Sequence, residues 1–132
     1  MVLCTRPDQS FTYITHADRG LPKAQQTTWH LRLLTTKQRA WVGARSGKNN
    51  WELMDDVCRA SIVDIVNLLD PNGQPVAYVE EPPTMPVVCG DAHARASVIA
   101  EALLRTIPPE VRIELMAAAL NGAVLLEEEV GN

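Results

Sequence analysis

Residues 91–121 read DAHARASVIAEALLRTIPPEVRIELMAAALN, and their reading decides the fold. Ala92, Ala96, Ile99 and Leu103 recur at spacings of four, three and four, which lines them along one face of a helix. Arg95, Glu101 and Arg105 fall elsewhere on that helix and stay in water. Asp91 suits the N-cap, because its carboxylate can accept from the free N–H groups of the first turn. Pro108 ends the helix, having no N–H and restricting Ile107 before it. Pro109 then fits the first turn of a second helix, where a missing N–H does no harm. Val111, Leu115, Ala118 and Ala119 form the buried stripe of this second helix, widened by Met116 and Leu120. Asn121-Gly122 stops it, since glycine takes the left-handed cap conformation freely. The stretch therefore predicts two helices hinged at Pro108-Pro109, with Leu103 and Leu115 facing a common core.

Upstream, Glu80–Pro86 holds two acids and three prolines, which predicts an extended linker rather than a sheet ladder. It divides a single domain, residues 1–132, into an α+β part (1–80), a Pro-rich linker (81–90) and a helical part (91–132). Asp70-Pro71-Asn72-Gly73 is a turn, with a strand expected at Val76–Val79. Residues 61–69 read either way: Ile62, Ile65 and Leu68 fit a helix, but the β-branched content suits a strand. The preferred reading is a helix to about Ser61 and then a hairpin. That helix, capped by Asn49 or Asn50, buries Leu53, Met54, Val57 and Cys58, and Asp55 and Arg59 are expected to pair on its wet face. Thr35 to Gln38 forms a capping box for a short helix through Ala40, Trp41 and Ala44, weakened at Gly43. Arg45 to Asn50 is a surface loop.

Closer to the start, residues 1–10 form an irregular arm. Phe11–Thr15 is a strand with Phe11 and Tyr13 on one face. Thr28–Leu34 is a second, with Trp29, Leu31 and Leu33 on one face and Thr28, His30 and Arg32 on the other. The two should pair antiparallel around the turn at Asp18–Pro22, in a small antiparallel sheet accompanied by short helices. After Gly122, Val124, Leu125 and Leu126 precede Glu127-Glu128-Glu129, which predicts a short last helix docked by its leucines.

The composition is that of a globular protein, with 46% apolar and 21% charged residues in 132. This length hides roughly two-thirds of the unfolded surface, enough for one modest core. A net charge of −4 argues against a nucleic-acid partner. No apolar run approaches the ~18–20 residues of a membrane span, and residues 1–7 lack the pattern of a secretory signal. Cys4, Cys58 and Cys89 are odd in number and widely spaced, as expected of reduced thiols in a cytoplasm.

Few residue groups carry chemistry. Cys89 and His93 are spaced C-x3-H around Asp91, but zinc usually takes four ligands, and no second close pair exists. The bland reading is a buried thiol beside a helix start. A thiol nucleophile at Cys89 would gain from the helix dipole and lose to Asp91, with no base or oxyanion hole to complete it. Gly43–Asn49 falls short of a phosphate loop: one residue is missing between the glycines, and no Ser or Thr follows Lys48. Asp55-Asp56 and Glu127-Glu128-Glu129 read as solvated acids, and His30 as a surface histidine. Trp29 belongs to the core. Trp41 and Trp51 flank a polar loop, and an exposed tryptophan there would be an interface anchor, although packing of both into the core is the plainer reading.

Three stretches together resemble the small accessory proteins encoded in the structural-gene blocks of tailed bacteriophages, some of them similar to tail-assembly chaperones. They are Asp18–Pro22 with Gln26-Thr27 and Leu31–Thr35; Asn67–Val76; and Ile107–Arg112 continuing through Glu127–Glu129 to Asn132. The resemblance implies a non-catalytic protein, with no cofactor, that serves virion assembly. Its partner would be another phage structural protein (tail tube, tape-measure or head component) or a second copy in a homo-oligomer. It would act in the host cytoplasm or remain as a minor virion component at the head or head–tail junction. The different-class alternative is a small metal- or thiol-dependent enzyme using Cys89 and His93. For the partner surface the sequence offers Trp41 and Trp51 around the polar loop, and the segment Val124, Leu125 and Leu126, which is preferred. Its leucines must dock on their own domain or on another chain.

Overall fold

A computed structural model of the chain describes residues 10–34, 40, 50–82 and 97–121. The fold is α+β. Strands β1 (Ser10–Tyr13), β2 (Thr28–Arg32) and β3 (Ile62–Val66) form an antiparallel sheet in the order β1-β2-β3. A two-residue ribbon joins β4 (Glu80–Glu81) to β5 (Val98–Ile99). Helix α1 (Asn50–Ser61) runs directly into β3, and α2 (Glu101–Thr106) and α3 (Pro109–Leu120) follow β5.

Alternation along the strands makes two cross-strand rows on the core face, Phe11–Leu31–Ile62 and Tyr13–Trp29–Ile65. The register of β3 explains its ambiguous sequence. His30 faces Asp64 but Leu31 faces Ile62, so Val63 is one residue extra in the ladder. That bulge puts Ile62 and Ile65, three apart, on the same buried face, a spacing that imitates a helix.

The connection from β1 to β2 is tied down. Thr15 O accepts from the N–H groups of Asp18 and Arg19, and Asp18 Oδ2 accepts from Thr27 N–H at 3.0 Å. Asn67, in the left-handed region at φ 64, donates from Nδ2 to Ala24 O and Gln26 O. At the next turn Asp70 Oδ1 accepts from Asn72 and Gln74 N–H, while Gly73 supplies a φ of 78.

The expected hinge is present. Ile107 is extended at φ −75, ψ 128, Pro109 occupies the first turn of α3, and Asn121 N–H donates to Ala117 O at its end. Leu103, Leu104, Ile107 and Leu115 join the sheet rows in one core. A smaller cluster, Leu34, Val57, Ala60 and Ala119, lies between α1 and α3, with Leu53, Met116 and Leu120 partly buried against it.

Four expectations are corrected. Val98-Ile99 is strand, so the helix before Pro108 begins at Glu101 and not near Asp91. Glu80 and Glu81 are that strand's ladder partners rather than linker. Val76–Val79 forms no strand of its own: Val76 N–H donates to Leu68 O and Val79 O accepts from Ala100 N–H. Arg32 and Arg59 are buried, not on wet faces. Arg32 Nε donates to Ala60 O in the last turn of α1, where a cation also suits the helix dipole. The capping box at Thr35–Gln38, the loop from Arg45, Asp91, Gly122 and the acids Glu127–Glu129 lie outside the described residues.

Candidate functional site

Helix α1 borders two different surfaces. On one side Trp51, Leu53 and Met54 of α1 face Ile113 and Met116 of α3 across an apolar groove of about 410 Å³. Trp51 and Met54, and likewise Ile113 and Met116, are three apart and so share a helix face. Met54 is buried at the floor, whereas Trp51 is 58% and Ile113 48% exposed. A polar tie fixes the helices nearby: Arg112 Nη1 meets Asp55 Oδ1 at 2.7 Å, and Cys58 Sγ donates to Arg112 O at 3.4 Å.

On the other side α1, β4 and α2 enclose a polar cleft of about 510 Å³ lined by Glu52, Asp55, Asp56, Arg59, Glu81 and Arg105 among others. Its arginines are engaged. Arg59 Nη2 lies 2.6 Å from Glu81 Oε1, and Arg105 Nη2 lies 2.6 Å from Glu101 Oε1. The Arg59–Glu81 pair braces α1 against β4, the Arg105–Glu101 pair lies within α2, and the carboxylates lining the cleft outnumber its arginines.

A third polar group anchors β1 to α3. Glu114 Oε2 accepts from Tyr13 Oη at 2.6 Å and from His16 N–H at 2.9 Å, and Arg19 stacks over the Tyr13 ring at 5.4 Å. Burial, then the Glu114 hydrogen bond and charge, push the Tyr13 hydroxyl up from 10.0 to about 12.

Of the residues the sequence singled out, Trp51 stands at the mouth of the groove. Trp41, Cys89, His93, Val124, Leu125 and Leu126 lie outside the described residues, as does the loop Gly43–Asn49. Trp29 is core, as expected, and His30 sits on the polar sheet face between Thr12 and Asp64. Cys58 is buried and its thiol is pushed up to about 12 by burial, with Asp55 adding and Arg112 opposing, which suppresses thiolate formation near neutral pH. Among the described residues no three His, Cys, Asp or Glu side chains are placed to hold a metal ion, and no helix is long and apolar enough to cross a membrane.

Sequence reading missed Ile113. It lies off the stripe of Val111, Leu115 and Ala118, and the signal was that α3 is apolar nearly all round. A helix with two apolar faces needs two things to cover them. The core covers one, and the groove is the other.

No protein-family model, no curated protein and no solved structure matches the chain.

Proposed function

We propose that this protein is a non-catalytic morphogenesis factor of tailed bacteriophages, a tail-assembly chaperone that binds another phage structural protein in the host cytoplasm. The observation that carries the reading is the apolar groove with Trp51 and Ile113 at its mouth. Tryptophan exposed beside a groove is the usual anchor of a protein–protein contact, and an amphipathic helix laid into such a groove is a common mode of recognition. The phage assignment is supported by the resemblance of Asp18–Pro22, Asn67–Val76 and Ile107–Arg112 to accessory proteins of the structural-gene blocks. Trp51 heads the partner-binding set, with Trp41, Val124, Leu125 and Leu126 as its further members.

Co-expression with the tail tube or tape-measure protein of the same gene block tests the proposal. A stable complex that Trp51→Ala weakens is expected. No complex with any phage structural protein would sink the reading, and recovery of the chain in fixed stoichiometry from purified particles would replace it with a virion component.

A further inference from the structure

We propose that the α1–α3 groove is the docking site of the chain's own C-terminal segment, Ala123–Glu129. The role assigned to the partner rests on the proposed function; the docking itself does not. Helix α3 forms one wall of the groove and ends at Leu120, so the segment leaves from beside the site. Met116 and Ile113 lie five and eight residues before Asn121, about 7.5 and 12 Å back along the helix axis. Taken as extended chain rather than as the short helix expected from the sequence, Val124 and Leu125, three and four residues beyond Asn121, reach about 10–14 Å. The residue after Asn121 is a glycine, which can adopt the backbone conformations that a reversal requires.

The chemistry of the segment matches its surroundings. Val124-Leu125-Leu126 is apolar, like the groove, and Glu127-Glu128-Glu129 is acidic. Attachment also favours this occupant over a free one. A short tether holds its segment at an effective concentration on the order of millimolar, so even a weak groove is filled. In the chaperone this makes the tail a competitor that a partner must displace.

Disulfide trapping in the full chain tests the docking without any partner. The background carries Cys4→Ser and Cys89→Ser and keeps the buried Cys58. Ile113→Cys is combined with Leu125→Cys, and Met116→Cys with Val124→Cys. Mild oxidation of dilute protein is expected to close a bond within one chain in both pairs. Val79→Cys with Leu125→Cys is the control, since Val79 is exposed on the approach to β4, and it should stay open. Bonds only between chains would overturn the proposal in favour of a second copy. Folded but unlinked pairs, or a control that closes equally well, would overturn it outright. In the unsubstituted chain, nuclear Overhauser contacts between the Met116 methyl and the methyls of Leu125 or Leu126 give the same answer, and their absence has the same force. If trapping succeeds while co-expression yields no complex, the docking stands and the chaperone reading falls.

Discussion

Arg59 and Glu81, 22 residues apart in the chain, meet at 2.6 Å between Nη2 and Oε1. The same Glu81 oxygen accepts from the backbone N–H of Glu101 at 2.9 Å. Helix α2 has no side-chain cap from Ala100, so a glutamate on β4 performs that task from outside. One carboxylate therefore joins α1, β4 and the start of α2.

Glu81→Ala should lower stability by about 2 kcal/mol, combining the loss of a helix cap with that of a charge-assisted hydrogen bond. The Glu81 side chain is 38% exposed, so the larger loss typical of a fully buried ion pair is not expected. Glu81→Gln keeps an acceptor and should lose less. Urea unfolding of the three proteins measures the order, and equal midpoints would remove the bridging role.

The sequence revealed where the helices stop better than where they start or what they touch. Pro108-Pro109 announced the hinge because proline acts locally, and the helix ending at Ser61 was read from its apolar spacing. Arg59 was misjudged because the i, i+4 rule offered Asp55, while the carboxylate it uses lies on another element. Val98 and Ile99 were misread for a similar reason. Ile99 falls in phase with Leu103, yet its ladder partner is Glu80, and two acids before a proline run give no local strand signal. The site follows the same division. Trp51 stood out as an aromatic beside a polar loop, with core packing the plainer reading; the structure leaves it 58% exposed, at a groove that exists only once α3 lies against α1.

Stability should fall on the alkaline side. In the folded chain Cys58 is raised from 9.0 to about 12, chiefly by burial, and Tyr13 from 10.0 to about 12. Above about pH 9 the unfolded chain releases these protons first and so binds fewer than the folded one, which makes the slope of stability against pH negative. The contribution is full below pH 9 and is lost as pH rises through 9 to 12. Unfolding midpoints measured across this range should decline, less steeply in Cys58→Ala and in Tyr13→Phe. The same burial should keep Cys58 from alkylation by iodoacetamide at pH 8 until denaturant is added, as peptide mass spectrometry can show. Rapid labelling in the native protein would contradict the buried placement.

Leu103 on α2 and Leu115 on α3 are both buried and belong to one core with the sheet rows. Replacing either with alanine should cost about 2–5 kcal/mol, the range for large-to-small changes at buried sites. Against a typical total of about 5–15 kcal/mol, that is enough to drop the melting temperature by many degrees or abolish folding. An unchanged melting temperature for either variant would mean that its helix presents another face to the sheet.

Trp51 should separate binding from folding. It is 58% exposed, whereas Trp29, also on the α+β framework, is 3% exposed at the centre of a cross-strand row. Trp51→Ala therefore removes a side chain that leaves most of its surface in water, and should change stability by only about 0.5–1 kcal/mol. Trp29→Ala opens a cavity under the sheet and should cost about 3–5 kcal/mol. If the groove anchors a partner, the ranking inverts for affinity. Truncating an anchor tryptophan typically weakens a complex by at least about 2 kcal/mol, some thirtyfold in Kd. Ile113→Ala, on the opposite wall, should weaken the same complex while leaving the melting temperature nearly in place. Calorimetric titration of each folded variant against the co-purified partner, alongside its melting curve, makes the comparison. Loss of affinity only where stability also falls would mean that the groove is packing surface and not a binding surface.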